Sequence, residues 1–273
     1  MRPRTISVLG CGWLGFPLAM ALVRAGHRVQ GSSTSQEKLA RLAEAGVEPH
    51  RIVLEEASEG SHGDFFASDI LIATVPPSGS ESAYPELMRT VRHLAETRGA
   101  RWLLMTSSTS VYPNLDRVVT ESDAGEKEGR PLSRRGAEVL AAERVLFDSS
   151  RFDTSVLRLA GLYGYERHPA RSLAGRCGLA GSDAPVNLVH RDDVIGAVLT
   201  VIDRDARGGT FNVCADEHPA RRQLYPAVAE RLGLEPPTFA EGSATGFKIV
   251  SNRRLKEQLG YELQYPDPMR PAP

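Results

Sequence analysis

Thr5-Ile6-Ser7-Val8-Leu9-Gly10-Cys11-Gly12-Trp13-Leu14-Gly15 is the stretch whose reading decides the fold. Ile6, Val8 and Leu9 read as a short buried strand. Gly10, Gly12 and Gly15 follow in the spacing G-x-G-x-x-G, and Leu14, Leu18, Ala21 and Leu22 then recur at helical spacing. Strand, tight turn and helix in that order make a phosphate cradle. The first glycine permits the sharp turn, the second puts no side chain between backbone and pyrophosphate, and the third lets helix pack on strand. The helix N-terminus adds unpaired N–H groups and the positive end of its dipole. The spacing alone is weak evidence. Its place between an apolar strand and an amphipathic helix predicts a dinucleotide site built on Gly10, Gly12, Trp13, Leu14 and Gly15.

Outward from this turn, Gly26 caps the first helix and a second strand begins at Arg28. An NAD-binding unit places an acid at the end of that strand, where it holds the ribose hydroxyls and repels a 2′-phosphate. This chain has Ser32, Ser33, Thr34 and Ser35 there, with Lys38 nearby. The pattern predicts NADP(H), with NAD the alternative, although the same residues also suit the cap of a helix starting near Gln36. Ile52–Leu54 reads as a third strand. Asp69–Val75 reads as a stronger one that ends at Pro76-Pro77 and puts Thr74, Val75 and Pro76 at the cofactor crevice. A helix is expected near 84–97, a strand over Arg101–Met105, a helix over 136–147 and strands at 153–159, 186–190 and 209–213. Strands alternating with helices imply a Rossmann-type α/β fold, a doubly wound parallel sheet with right-handed crossovers. The expected division is a dinucleotide-binding part, 1–159 plus 186–215, and a small C-terminal substrate lobe, 160–185 plus 216–273.

Composition excludes several classes. The 273 residues carry 33 basic and 34 acidic side chains, a net charge of −1, and no basic stripe that would track nucleic acid. No apolar run approaches the roughly 20 residues of a membrane span. The cysteines, Cys11, Cys177 and Cys214, are few and odd in number, which fits a reducing cytoplasm and no disulfide framework. None has metal-ligand spacing.

With these pieces in order, the chain resembles the extended short-chain dehydrogenase/reductases, the NAD(P)-dependent epimerase/dehydratase proteins, many of which act on nucleotide sugars. Ser107-Ser108-Thr109-Ser110-Val111-Tyr112 is similar to that family's Ser-Ser-x-x-Val-Tyr-Gly strand end. Leu157-Arg158 through Tyr163-Gly164, Leu188–Val194 and Phe211-Asn212-Val213 match its later motifs. The Gly-Trp-Leu-Gly turn, the Ser-Ser-Thr-Ser-Val-Tyr segment and Asn187-Leu188-Val189-His190 resemble a bacterial subgroup of nucleoside-diphosphate-sugar epimerase-like proteins. The resemblance implies an oxidoreductase or epimerase on a small hydroxylated substrate, with the nicotinamide near Ser108 and Ala160, Ser107 beside the cofactor, and a monomeric or homodimeric state. It also exposes a departure. In the family a Tyr and a Lys four residues on carry the proton chemistry, the ammonium lowering the phenol pKa. Aligned by Glu143, this chain has Arg135 and Val139 in those places. Arginine accepts no proton at neutral pH, and valine can hold no hydroxyl. Ser108 and Tyr112 remain as catalytic expectations, Tyr112 against the alternative of a packing tyrosine. A non-catalytic, cofactor-sensing protein is the second reading.

Three further positions carry two readings each. His190 beside Asp192 and Asp193 suits a helix-start hydrogen bond more than a general base. His168 with Arg167, Arg171 and Arg176 would meet a phosphate or carboxylate, or form a solvated loop. Cys11 would be an activated thiol at a helix N-terminus or a small residue filling a crowded turn.

Overall fold

The computed structural model describes residues 2–54, 63–77, 83–242 and 246–271. Seven strands form the main sheet: β1 (Thr5–Leu9), β2 (Arg28–Ser33), β3 (Glu48–Arg51), β4 (Ile70–Ala73), β5 (Trp102–Ser108), then, after the short β6 (Val118–Val119), β7 (Asp153–Leu159), and finally, after β8 (Gly161–Tyr163) and β9 (Leu188–His190), β10 (Thr210–Val213). Their spatial order is β10-β7-β5-β4-β1-β2-β3. The order runs one way from β1 through β2 to β3 and the other way through β4 and β5, with each of these pairs parallel. The reversal between β1 and β4 is the point where doubly wound sheets open a crevice at the carboxyl ends of their strands. The expected Rossmann-type fold is therefore present.

Helices α1 (Gly15–Arg24), α2 (Gln36–Glu44), α3 (Gly63–Phe66), α4 (Ala83–Arg98), α5 (Arg134–Phe147), α6 (Arg191–Asp203), α7 (Arg221–Arg231) and α8 (Arg253–Leu259) complete the regular structure. Strand β4 is apolar throughout, and β5 is apolar over Trp102–Met105, as fits a parallel sheet with both faces covered by helices. Helix α1 buries Leu18, Ala19 and Leu22, and α4 buries Met88, Val91, Leu94 and Ala95, each along one stripe. Among the described residues no helix is long and apolar enough to cross a membrane.

The third strand departs from the sequence expectation. The apolar triplet Ile52–Leu54 lies beyond it, and the residues that pair are Glu48–Arg51, in register with Gln30–Ser33. An edge strand has one unpaired side and tolerates Pro49 and charge, so apolar content misplaces it.

The chain divides into two compact units, residues 1–108, 134–157 and 198–210 in the first, and 109–133, 158–197 and 211–273 in the second. The second unit contains two small parallel pairs, β8 with β9 and β6 with β11 (Ile249–Val250). Its core gathers Tyr163, Ala170, Val186, Leu188, Leu224, Tyr225 and Val228.

Candidate functional site

The three glycines of the first turn each meet a separate physical demand. Gly10 has φ +95°, a left-handed backbone that favours glycine. A Cβ on Gly15 would lie 2.3 Å from the Gly10 carbonyl oxygen and 2.7 Å from Thr74 Oγ1, so only glycine lets α1 approach the strand this closely. A Cβ on Gly12 would meet nothing within 4 Å. Gly12 is exposed, and the space beside its backbone is open. That is the cradle a pyrophosphate requires, and the residues present fit a dinucleotide.

The turn is held from both neighbouring strands. Ser32 Oγ accepts the Gly10 N–H at 2.9 Å, and the Ser32 carbonyl accepts the Cys11 N–H at 2.8 Å. Thr74 Oγ1 lies 2.8 Å from the Gly10 carbonyl and 3.1 Å from that of Leu9. Ser32 is buried, so its part in a cofactor site is to fix the turn and not to meet a 2′-phosphate, a correction to the sequence reading. Ser33, half-buried, accepts the Ser35 N–H at 3.2 Å, and Thr34 is exposed. The register places Arg51 beside Ser33, a cation that the misplaced third strand had hidden. Lys38 is exposed in the first turn of α2. Trp13 is half-buried in the turn and Leu14 is buried beneath it. Cys11 is buried, its thiol pushed up to about 12, which makes it a space-filling residue.

At the next strand ends, the Val75 carbonyl accepts the Tyr84 hydroxyl at 3.1 Å, and Pro76 is exposed. Arg135 Nη2 donates to the Pro77 carbonyl at 2.6 Å, and Val139 is buried. Ser107 is buried and donates to Glu143 Oε1 at 2.5 Å. It therefore ties β5 to α5, while Ser108, the next residue, is half-buried.

In the second unit, Tyr112 is 1 % exposed. Its hydroxyl donates to Asn212 Oδ1 at 2.5 Å and accepts from Arg158 Nη1 at 3.0 Å. The Asn212 N–H donates to Glu121 Oε1, and Arg158 also reaches the Glu121 carbonyl. Three sequence motifs thus meet in one buried polar network, and the catalytic expectation for Tyr112 gives way to packing. Ala160 is buried, with its N–H on the Val213 carbonyl at 3.0 Å. His190 is buried, its Nδ1 accepting the Asp192 N–H at 3.3 Å, the helix-start role. Asp193 accepts from Tyr261 Oη and the N–H groups of Gln264 and Tyr265, and burial raises its carboxyl. Lys248, which no spacing marks in the sequence, donates from Nζ to the Tyr112 carbonyl at 2.5 Å, and burial lowers its ammonium to about 8. No ion pair to Lys248 occurs among the described residues.

The family described as NADP oxidoreductase, coenzyme F420-dependent, matches residues 5–96, from β1 through most of α4. Protein YeeZ of Escherichia coli K12 is 35% identical over 97% of this chain and 98% of its own. A short-chain dehydrogenase/reductase superfamily protein of Agrobacterium tumefaciens, solved with bound NAD, is 21% identical with a TM-score of 0.74, covering 97% of this chain and 94% of that one. A UDP-glucose 4-epimerase of Stenotrophomonas maltophila, solved with NAD and formylated UDP-arabinopyranose, is 16% identical with a TM-score of 0.79, covering 97% and 95%. The chain belongs to the family of protein YeeZ.

Proposed function

We propose that the chain binds NADP(H) at the glycine turn and acts as an oxidoreductase or epimerase on a small hydroxylated substrate, a nucleotide sugar. The open backbone at Gly12, beside a turn that only glycine can make, carries the reading. Ser33, Thr34 and Arg51 supply hydroxyls and a cation, with no acid among residues 32–35, and so favour a 2′-phosphate. When bound, the nicotinamide exchanges hydride with the substrate carbon. Ser108 polarises the substrate oxygen. The family's proton carrier has no counterpart at Arg135 or Val139. A non-catalytic, cofactor-sensing protein is the second reading, favoured by the buried Val139 where a lysine would stand.

Trp13 lies in the turn, so quenching of its emission reports the cofactor directly. NADPH is expected to quench at lower concentration than NADH, and Arg51→Ala to weaken NADPH by about tenfold while sparing NADH. Tighter NADH binding would reject the 2′-phosphate reading. With UDP-sugars and NADP, turnover that vanishes in Ser108→Ala while quenching persists supports the enzyme. Quenching with no nicotinamide reduction or epimerised product from any UDP-sugar supports the sensor.

A further inference from the structure

A cavity of about 420 Å³ lies wholly within the second unit, between the segment after β8, the end of α7 and the last described residues. Its volume is in the range of small-molecule sites. Val228, Leu232 and Pro268 form an apolar wall. The polar groups that line it are Tyr163, Tyr165 (its hydroxyl already on Asp192 Oδ2), His168 and the guanidinium-bearing Arg167, Arg231 and Arg270, and among the described residues no carboxylate lines it. Asp267, next to it, sits 3.5 Å from Arg270 Nε, and Arg231 Nη1 donates to the Met269 carbonyl.

Two buried polar atoms here have no protein partner: Tyr163 Oη and His168 Nε2. Tyr163 is 3 % exposed. The chemistry of each atom follows from its surroundings. His168 Nδ1 accepts the Ala170 N–H at 3.1 Å, so Nδ1 is the bare nitrogen and Nε2 carries the proton. Burial and the charges of Arg231 and Arg171 lower this imidazole to about 4, so it is neutral at physiological pH. Burial raises the Tyr163 phenol, so it keeps its proton. Both unpartnered groups are therefore donors, in a cavity that also has three cationic side chains and no acidic one. A buried donor without an acceptor costs free energy, so what the cavity lacks is an acceptor with negative charge.

We infer that this cavity binds a phosphate group, with Tyr163 Oη and His168 Nε2 donating to its oxygens and Arg231 countering its charge. The apolar wall suits the organic part of a small phosphate monoester. A phosphate offers several acceptor oxygens to converging donors, and guanidinium groups match it by forked hydrogen bonds. The inference is independent of the dinucleotide reading, since every residue it uses is in the second unit and the glycine turn is in the first.

The test is calorimetric titration of the full chain with inorganic phosphate, uridine 5′-monophosphate and uridine. Tyr163→Phe removes only the hydroxyl. His168→Asn keeps an acceptor for the Ala170 N–H and deletes the second donor. Both phosphate-bearing probes are expected to bind and uridine not to. Each variant is expected to weaken binding by about tenfold, the loss of one charge-assisted hydrogen bond. NADPH quenching of Trp13 stays unchanged in both. Tighter binding of the nucleotide than of phosphate identifies an ester as the ligand; equal affinity identifies free phosphate. Tyr163→Phe is expected to keep or raise the thermal midpoint, because the hydroxyl it removes has no protein partner. No saturable binding of either phosphate probe, or binding unaffected by both variants, would overturn the inference.

Discussion

A single β-carbon separates two glycines that look equivalent in the motif. At Gly15 it would run into the Gly10 carbonyl at 2.3 Å, a backbone atom that cannot swing aside. Gly15→Ala is therefore expected to lower stability by about 1–3 kcal/mol and to weaken cofactor binding with it. At Gly12 the same carbon meets only open space, and φ there is not in the left-handed range. Gly12→Ala is expected to leave the thermal midpoint unchanged while abolishing NADPH quenching. A folded Gly12→Ala chain that still bound NADPH would remove the basis of the cofactor proposal. This turn was legible because its demands are local: each glycine answers to atoms within one strand–turn–helix unit or the adjoining strand. Ser32 and Thr74 hold the turn by hydrogen bonds that no spacing reveals, because a hydroxyl looks the same in sequence whether it faces a ligand or a backbone group.

Elements were legible where periodicity decides them and hidden where pairing does. The apolar strands β1, β4, β5 and β7 and the striped helices α1 and α4 lie where the pattern puts them, within a few residues. The strand β3 does not, because the register with β2 selects it in spite of its composition. Arg51 was lost with it. The motif segments show a related limit. Tyr112, Arg158 and Asn212 come from three distant stretches and meet in one buried network, a relation that no spacing reveals. Removing the hydroxyl with Tyr112→Phe leaves Asn212 Oδ1 and Arg158 Nη1 each short of a partner. The expected cost is about 1–3 kcal/mol, read as a lower midpoint in urea, with NADPH binding intact. An unchanged midpoint with lost turnover would return Tyr112 to catalysis.

For the whole molecule, the buried titratable groups set a pH window for stability. His27, His168 and His218 are all held below their ordinary 6.5 by burial, His168 at about 4. The unfolded chain takes up protons on these imidazoles before the folded one does. Their contribution is therefore complete above pH 6.5 and is lost as pH falls toward 4. Asp193 runs the other way, since burial raises its carboxyl and acid relieves that group, but it is one group against three. On the alkaline side Lys248 is lowered to about 8 from 10.5, so the penalty of its buried charge is relieved across that interval and stability rises. The buried tyrosines Tyr84, Tyr163 and Tyr261 have raised phenols, which the unfolded chain ionises first, and stability declines above their ordinary value of 10. The expected profile of thermal midpoint against pH climbs from 4 to 6.5, holds through neutrality, rises again from 8 as Lys248 loses its charge and falls beyond 10 as the exposed phenols of the unfolded chain ionise. His168→Asn removes one of the three imidazoles and is expected to flatten the acid limb while leaving the alkaline limb alone. An acid limb of the same slope in that variant would mean that His168 takes up its proton at the same pH in the folded and the unfolded chain, so that burial of this imidazole plays no part in the acid limb.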